Sequence, residues 1–313
     1  LEDYGRADLA EMKEVGSTEQ VAVVAQFDSM EDGNSRRYYL EADTSLEEDA
    51  LDAYLGETNT GDPRELVHFL VWAMNNYPAK RYALIMWNHG TGWKEEEVYR
   101  VAHGTMGAYR PASEKRARAI ARGLSGRKVR PPLFSTTIKS VMARGISYDD
   151  SSADFLDNAE MKQALRCSLL ASSSERLDLV GFDACLMSML EIAYQVKDVA
   201  DCIVGSQETE PAEGWPYAEI LRGLTDDPTM DQSALGSVII KAYMDSYGPE
   251  ENVSQSALDL SHIHQVVEAL DNVCSYVISH QEDCELILGR AVRRAQRFSD
   301  EDYKDLYDLC RLL

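Results

Sequence analysis

Apolar and polar positions along this chain switch repeatedly between short continuous runs and helical periodicity. Residues 21–28 read as an apolar strand, and RRYYLEAD at 36–43 as a second extended piece. Asp62 and Pro63 signal a helix start, as N-cap and first-turn proline, and that helix runs to about Tyr77, where Pro78 stops it. A buried strand at 82–87 leads to His89. A helix at 158–173 precedes a strand at 177–182, which leads to Cys185, and a helical pattern follows from Leu186 to Gln195. DCIVGS is the next strand, then the loop ETEPAEGWPY, a helix from about Ser233, the strand SQSALDL and two closing helices. Alternating strands and helices predict an α/β fold: a mostly parallel sheet with helices on both faces, a three-layer α/β/α sandwich. No repeat of fixed period and no low-complexity tract interrupts it.

Two of these strands end on reactive side chains. In an open parallel sheet the carboxyl edge is where ligands bind. A thiol and an imidazole on neighbouring strand ends can serve as nucleophile and base. Cys185 at a helix amino terminus would have its thiolate favoured by the amide dipoles. Gly90, directly after His89, lets backbone approach a substrate, and its N–H with that of Cys185 is a candidate oxyanion hole. The competing reading is a buried structural cysteine and an unrelated strand-end histidine. Asp183 lies two residues before Cys185, so both are expected to face one cavity. A carboxylate raises a neighbouring thiol pKa, which suits a nucleophile only if a substrate cation lies between them. Glu210 and Glu213 are candidates for a second negative charge, and bracing of the strand–helix turn is the alternative role for Asp183.

The ordered motifs NHGTGW, GFDACLM and SQETEPAEGWPY, together with the opening LEDYGRADLAEM and the segment VAVVAQFD to RRYYLEAD, resemble the clostripain family of cysteine peptidases, distant relatives of caspases, legumains and gingipains. The resemblance runs over nearly the whole chain. It implies a single caspase-like domain over 1–313 and a histidine–cysteine dyad carried by His89 and Cys185. It also implies cleavage after Arg or Lys, with Asp183 recognising the basic side chain, and maturation by a cut between the two catalytic residues. Family members usually carry an apolar strand just before the point where this chain begins, at Leu1 without Met. The expectation is therefore a fragment that lacks a strand central to the sheet, cut as well within DLYDLCRLL at its other end. The resemblance favours a secreted or cell-envelope location.

The span 94–150 differs from the rest. From Arg110 to Arg144 it carries ten basic residues against one acidic residue, Glu114, in a chain of 313 residues with net charge −23. Gly123, Gly126, Pro131 and Pro132 add breaker signals. A basic surface helix docked on an acidic body is one reading. The other is an activation segment, cut by the enzyme itself after Arg122, Arg127, Lys128 or Arg130.

The acidic balance argues against nucleic acid as a partner and is compatible with basic peptide or protein substrates. No stretch has the length of a membrane span. None of the six cysteines forms a C-x-x-C pair, so no zinc or redox motif is expected, and Cys167 and Cys274 read as core residues. His68 reads as a packed core histidine, and His262 with His264 as a surface pair at a helix start. No metal or cofactor is expected. Calcium is the one alternative considered, at Asp149, Asp150, Asp154 and Asp157. Their spacing is not that of an EF-hand, and a loop leading into a capped helix is the competing reading. GTG at 90–92 has Glu95 where a nucleotide fingerprint needs glycine, which weakens a nucleotide-binding reading. The functional alternative to a peptidase is a non-catalytic domain of the same fold that binds basic peptides in an acidic cleft.

Overall fold

The computed structural model describes residues 1–31, 33–52, 55–93, 145–149, 151–152, 154–299 and 302–313. Its centre is a four-stranded sheet in the order β4 (Ala83–Trp87), β7 (Leu177–Asp183), β8 (Ala200–Gly205), β9 (Ser256–Asp259). The first three strands are parallel and β9 pairs antiparallel with β8. β7, LDLVGFD, is buried along nearly its whole length, as a strand covered on both faces must be.

Alternate residues of the central strands enter opposite layers. Val180 and Phe182 of β7 and Ile203 of β8 pack with Leu70 and Met74 of α3 (Pro63–Asn76), Met161 and Leu165 of α4 (Asn158–Ala171), and Ile192 and Val196 of α5 (Leu190–Val196). Leu179, Cys202 and Val204 turn the other way, toward Tyr217 and Ile220 of α6 (Tyr217–Asp226), Leu235, Ile239 and Tyr243 of α7 (Gln232–Ser246), and Trp215. This is the expected α/β/α sandwich. Both well-signalled helices start on side-chain caps. The Asp62 carboxylate accepts the Arg64 N–H at 3.0 Å, and Asp157 with Glu160 closes a capping box at α4.

A separate antiparallel sheet joins β1 (Val24–Ser29), β2 (Asn34–Tyr39) and β3 (Ala50–Asp52), the last following a single helical turn, α2 (Leu46–Asp49). It packs Val23, Tyr38 and Leu40 against Leu9 of α1 (Glu2–Lys13) and Leu221 of α6. The extended piece expected at 36–43 is thus shorter and ends at Tyr39. A two-stranded sheet of β5 (Gly145–Asp149) and β6 (Asp154–Asp157) leads into α4. The chain closes on three helices rather than two, α8 (Ile263–Ser279), α9 (Gln281–Arg294) and α10 (Leu306–Leu312). Among the described residues no helix is long and apolar enough to cross a membrane.

Three core assignments fail. His68 is exposed and lies 3.5 Å from Glu65, because the buried stripe of α3 runs through Leu66, Phe69, Leu70 and Met74 on the other side of the helix. Cys167 is exposed for the same reason, lying off the stripe Met161, Ala164, Leu165, Ser168 and Leu169 of α4. Cys274 is exposed on α8, which buries little beyond Ile263. His262 and His264 are exposed around the start of α8, as expected.

Candidate active site

The register of the sheet brings the two reactive segments together. Trp87 is the parallel partner of Asp183, and the Asn88 N–H donates to the Asp183 carbonyl at 3.3 Å. His89 and Cys185 each follow two residues beyond that paired level. Gly90 lies directly on the Cys185 backbone: a Cβ there would stand 2.3 Å from the Cys185 carbonyl oxygen and 3.1 Å from Ala184 Cβ. Only glycine permits that approach.

The histidine turn is anchored by Asn88. Its Oδ1 accepts the N–H groups of His89 at 2.6 Å and Tyr148 at 3.2 Å, and its Nδ2 donates to the Tyr148 carbonyl at 3.2 Å. The Tyr148 ring meets the His89 ring edge-on, centroids 6.5 Å apart. Beyond it the Tyr303 hydroxyl donates to the Thr91 carbonyl at 2.6 Å, tying this turn to the last segment of the chain.

The turn at Cys185 departs from expectation. The helix after Cys185 begins at Leu190, not Leu186, because Leu186 adopts φ of 64° and breaks the helical path at once. A leucine in that conformation costs about 1–2 kcal/mol, so the surrounding packing enforces it. The Leu186 N–H donates to the Glu208 carbonyl at 3.1 Å. Cys185 therefore lies outside the helix, and the dipole stabilisation expected for its thiolate is absent. Burial pushes the Cys185 thiol up, the charges of Asp183 and Glu208 add to this, and the Glu210 N–H opposes it. That N–H donates to Sγ at 3.2 Å, and the thiol reaches the Glu210 carbonyl at 3.8 Å.

Asp183 is 4% exposed. Its Oδ2 accepts the Trp215 N–H at 3.2 Å and the Tyr217 hydroxyl at 2.7 Å. Gly214, at φ of 63°, lets this turn close on it, since a Cβ there would lie 2.9 Å from the same oxygen. Asp183 thus braces the 214–217 turn rather than the strand–helix turn weighed from sequence, while lying two residues before Cys185. Of the two glutamates, Glu210 turns its carboxyl inward to Asp183, whereas Glu213 is exposed. Asp8 of α1 lies near the same group, 4% exposed, with burial first and the Asp183 charge second pushing its carboxyl up to about 8. Nothing in the sequence pattern separates Asp8 from the other acids of its helix. Asn88 was legible only as the neighbour of His89.

Asp149 accepts the Thr60 and Ser152 N–H groups, at 2.9 Å and 2.8 Å. Asp154 takes the Asn59 amide at 2.7 Å, and Asp157 caps α4. Asp28, Glu57 and Asp149 bring three carboxylate oxygens within 4.8 Å of one another. Of the four aspartates considered for calcium only Asp149 belongs to this group, and most of the group's oxygens already have N–H or hydroxyl partners. Asp150 lies outside the described residues, as do Arg122, Arg127, Lys128 and Arg130 and nearly all of the basic span.

The family model of the clostripain family, peptidase family C11, matches residues 1–105 and 135–313. Clostripain of Hathewaya histolytica is 24% identical over 293 residues, covering 81% of this chain and 48% of that protein. The chain thus spans about half the length of this curated relative. An inactive zymogen C11 protease from Parabacteroides distasonis superposes with a TM-score of 0.62 at 18% identity, over 100% of this chain and 73% of the other. Iotapain, a secreted C11 cysteine protease from Bacteroides thetaiotaomicron, gives 0.59 at 17% identity, over 99% and 79%. At such identities the likeness to the solved structures is one of fold, and it is the caspase-like sandwich described above. With the family model covering most of its length, and the His89 and Cys185 segments on adjacent strand ends, this chain belongs to the clostripain family of cysteine peptidases.

Proposed function

We propose that the chain is a cysteine endopeptidase that cleaves after Arg or Lys, with Cys185 as nucleophile and His89 as its acid–base partner. The observation that carries this is the Trp87–Asp183 register, which sets the two segments side by side with Gly90 against the Cys185 carbonyl. Cys185 Sγ attacks the scissile carbonyl carbon, and the amides of Gly90 and Cys185 hold the developing oxyanion. His89 carries the thiol proton to the departing amine, leaving a thioester. Water then attacks the thioester with His89 as base, releasing the acid and restoring the thiol.

Asp183 supplies the charge that selects a basic side chain, with Glu210 as the second acid and Glu213 left at the surface. The contacts of Cys185 with the Glu210 main chain, and a thiol pKa held high, support a resting form that needs activation. The basic span 94–150 is its candidate activation segment, with self-cleavage after Arg122, Arg127, Lys128 or Arg130. Substrates are peptides or proteins with exposed basic residues. The secreted relative supports a secreted or cell-envelope location.

The test is a panel of fluorogenic peptides with Arg, Lys, Asp or Asn before the leaving group. The proposal expects turnover of the Arg and Lys members, with losses of about 10⁴ or more in Cys185→Ala and large losses in His89→Ala. Turnover preserved in Cys185→Ala sinks the peptidase mechanism.

A further inference from the structure

Asp183 and Glu210 meet inside the protein, at the foot of the nucleophile. Asp183 Oδ2 is taken by the Trp215 N–H and the Tyr217 hydroxyl. Glu210 Oε1 accepts the Gln255 amide at 3.4 Å, while Oε2 is buried without a hydrogen bond among the described residues, with the Asp183 carboxyl and the Trp215 indole N–H as its side-chain neighbours. Two buried carboxyl groups in such contact repel as two anions, whereas one proton between them makes a hydrogen bond. Among the described residues the charges acting on the pair are acidic, and the titratable base His89 stands on the neighbouring strand end, beside Cys185. Asp8 and Glu11 face the pair from α1, Tyr217 from α6, Tyr243 from α7 and Tyr247 from just beyond it, and Cys185 from the same strand end. All are acidic or neutral. Burial pushes both carboxyls upward, Glu210 well above the ordinary carboxylate range.

We infer that Asp183 and Glu210 share one proton when no substrate cation lies between them, and that a guanidinium or ammonium side chain expels that proton to solvent as it binds. This rests on the proposed selection of basic side chains and adds a chemical step to it. The specificity pocket then exchanges one cation for another, a proton for the substrate's charge. Because binding releases a proton, affinity for basic ligands rises with pH, up to about tenfold per unit while the pair holds its proton. Neutral ligands show no such dependence.

Benzamidine is the probe, since its amidinium stays charged across the working range and it has no bond to cleave. The full chain is titrated with it calorimetrically at constant pH in phosphate and in Tris, whose contrasting ionisation heats count the protons released. The expected result is release of about one proton per benzamidine bound. Glu210→Gln should bind with almost no release, and Asp8→Asn should release as the parent does. Binding by the parent without proton release overturns the shared proton and leaves the selection of basic side chains standing. Release that disappears in Asp8→Asn overturns its assignment to this pair. The parent's own proton count decides the matter even where a variant fails to fold. Failure to cleave after Arg or Lys, read separately on the fluorogenic peptides, overturns the underlying reading and this inference with it.

Discussion

Glu210 holds Cys185 through its main chain: its N–H donates to the thiol sulfur at 3.2 Å, and its carbonyl lies 3.8 Å from the same atom. The thiol is half-buried and sits beside the charges of Asp183 and Glu208, so its pKa is raised. Only the thiolate alkylates. Iodoacetamide should therefore reach the exposed Cys167, Cys274 and Cys310 of the intact chain before Cys185. The rate at Cys185 should climb by up to about tenfold per pH unit through and above the ordinary thiol range. Peptide mapping after timed alkylation at several pH values measures this. Fast labelling of Cys185 at neutral pH would show a thiolate that the surrounding acids ought to suppress.

Asp183→Asn keeps the shape of the side chain and removes its charge. A desolvated charge pair is worth on the order of 2–5 kcal/mol when one partner is truncated. Steady-state kcat/KM on Arg and Lys peptides should fall by at least about thirtyfold, the low end of that range. The Asn amide can still accept from Trp215 and Tyr217, so the urea midpoint should move little. A large drop in stability with unchanged discrimination between basic and neutral peptides would make Asp183 a brace alone.

Gly90→Ala tests the approach of the two strand ends. The added methyl would meet the Cys185 carbonyl at 2.3 Å and Met187 Cγ at 2.9 Å. Backbone must move to admit it, at a cost of about 1–3 kcal/mol. The movement separates His89 from Cys185, so turnover should fall further than stability does. Equal urea midpoints and equal turnover in parent and variant would mean that the turn accepts the methyl and that its tightness has no functional part.

The apolar runs ending at His89 and Cys185 were legible because a strand buried on both faces needs uninterrupted apolar sequence, and β7 meets that demand. The caps at Asp62 and Asp157 were legible as local chemistry. The start of the helix after Cys185 was not. In CLMSMLE apolar residues crowd every helical face, so periodicity cannot register the turn that Leu186 makes. Glu210 and Glu213 occupy one loop with equal claims, and only the folding of that loop over Asp183 sends one inward. His68 and Cys167 sit among apolar neighbours in sequence, yet their helices present other residues to the core.

Self-cleavage is expected within the basic span, after one or more of Arg122, Arg127, Lys128 and Arg130. Active chain should give two bands on a denaturing gel and one species by size exclusion, because β4 and β7, on either side of the cut, share a sheet and its core. Cys185→Ala should remain a single chain. Mass spectrometry that finds active enzyme intact throughout the span removes the activation role and leaves a basic surface feature.

Glu210 reaches both Asp183 and Cys185: its carboxyl lies against the Asp183 side chain, and its amide donates to the Cys185 sulfur. The two groups hang from a single Cα, so a displacement of the Glu210 backbone moves both. In the proposed peptidase, that single residue would link arrival of a basic side chain to release of the sulfur, and so limit idle reactivity toward whatever else drifts past the cleft.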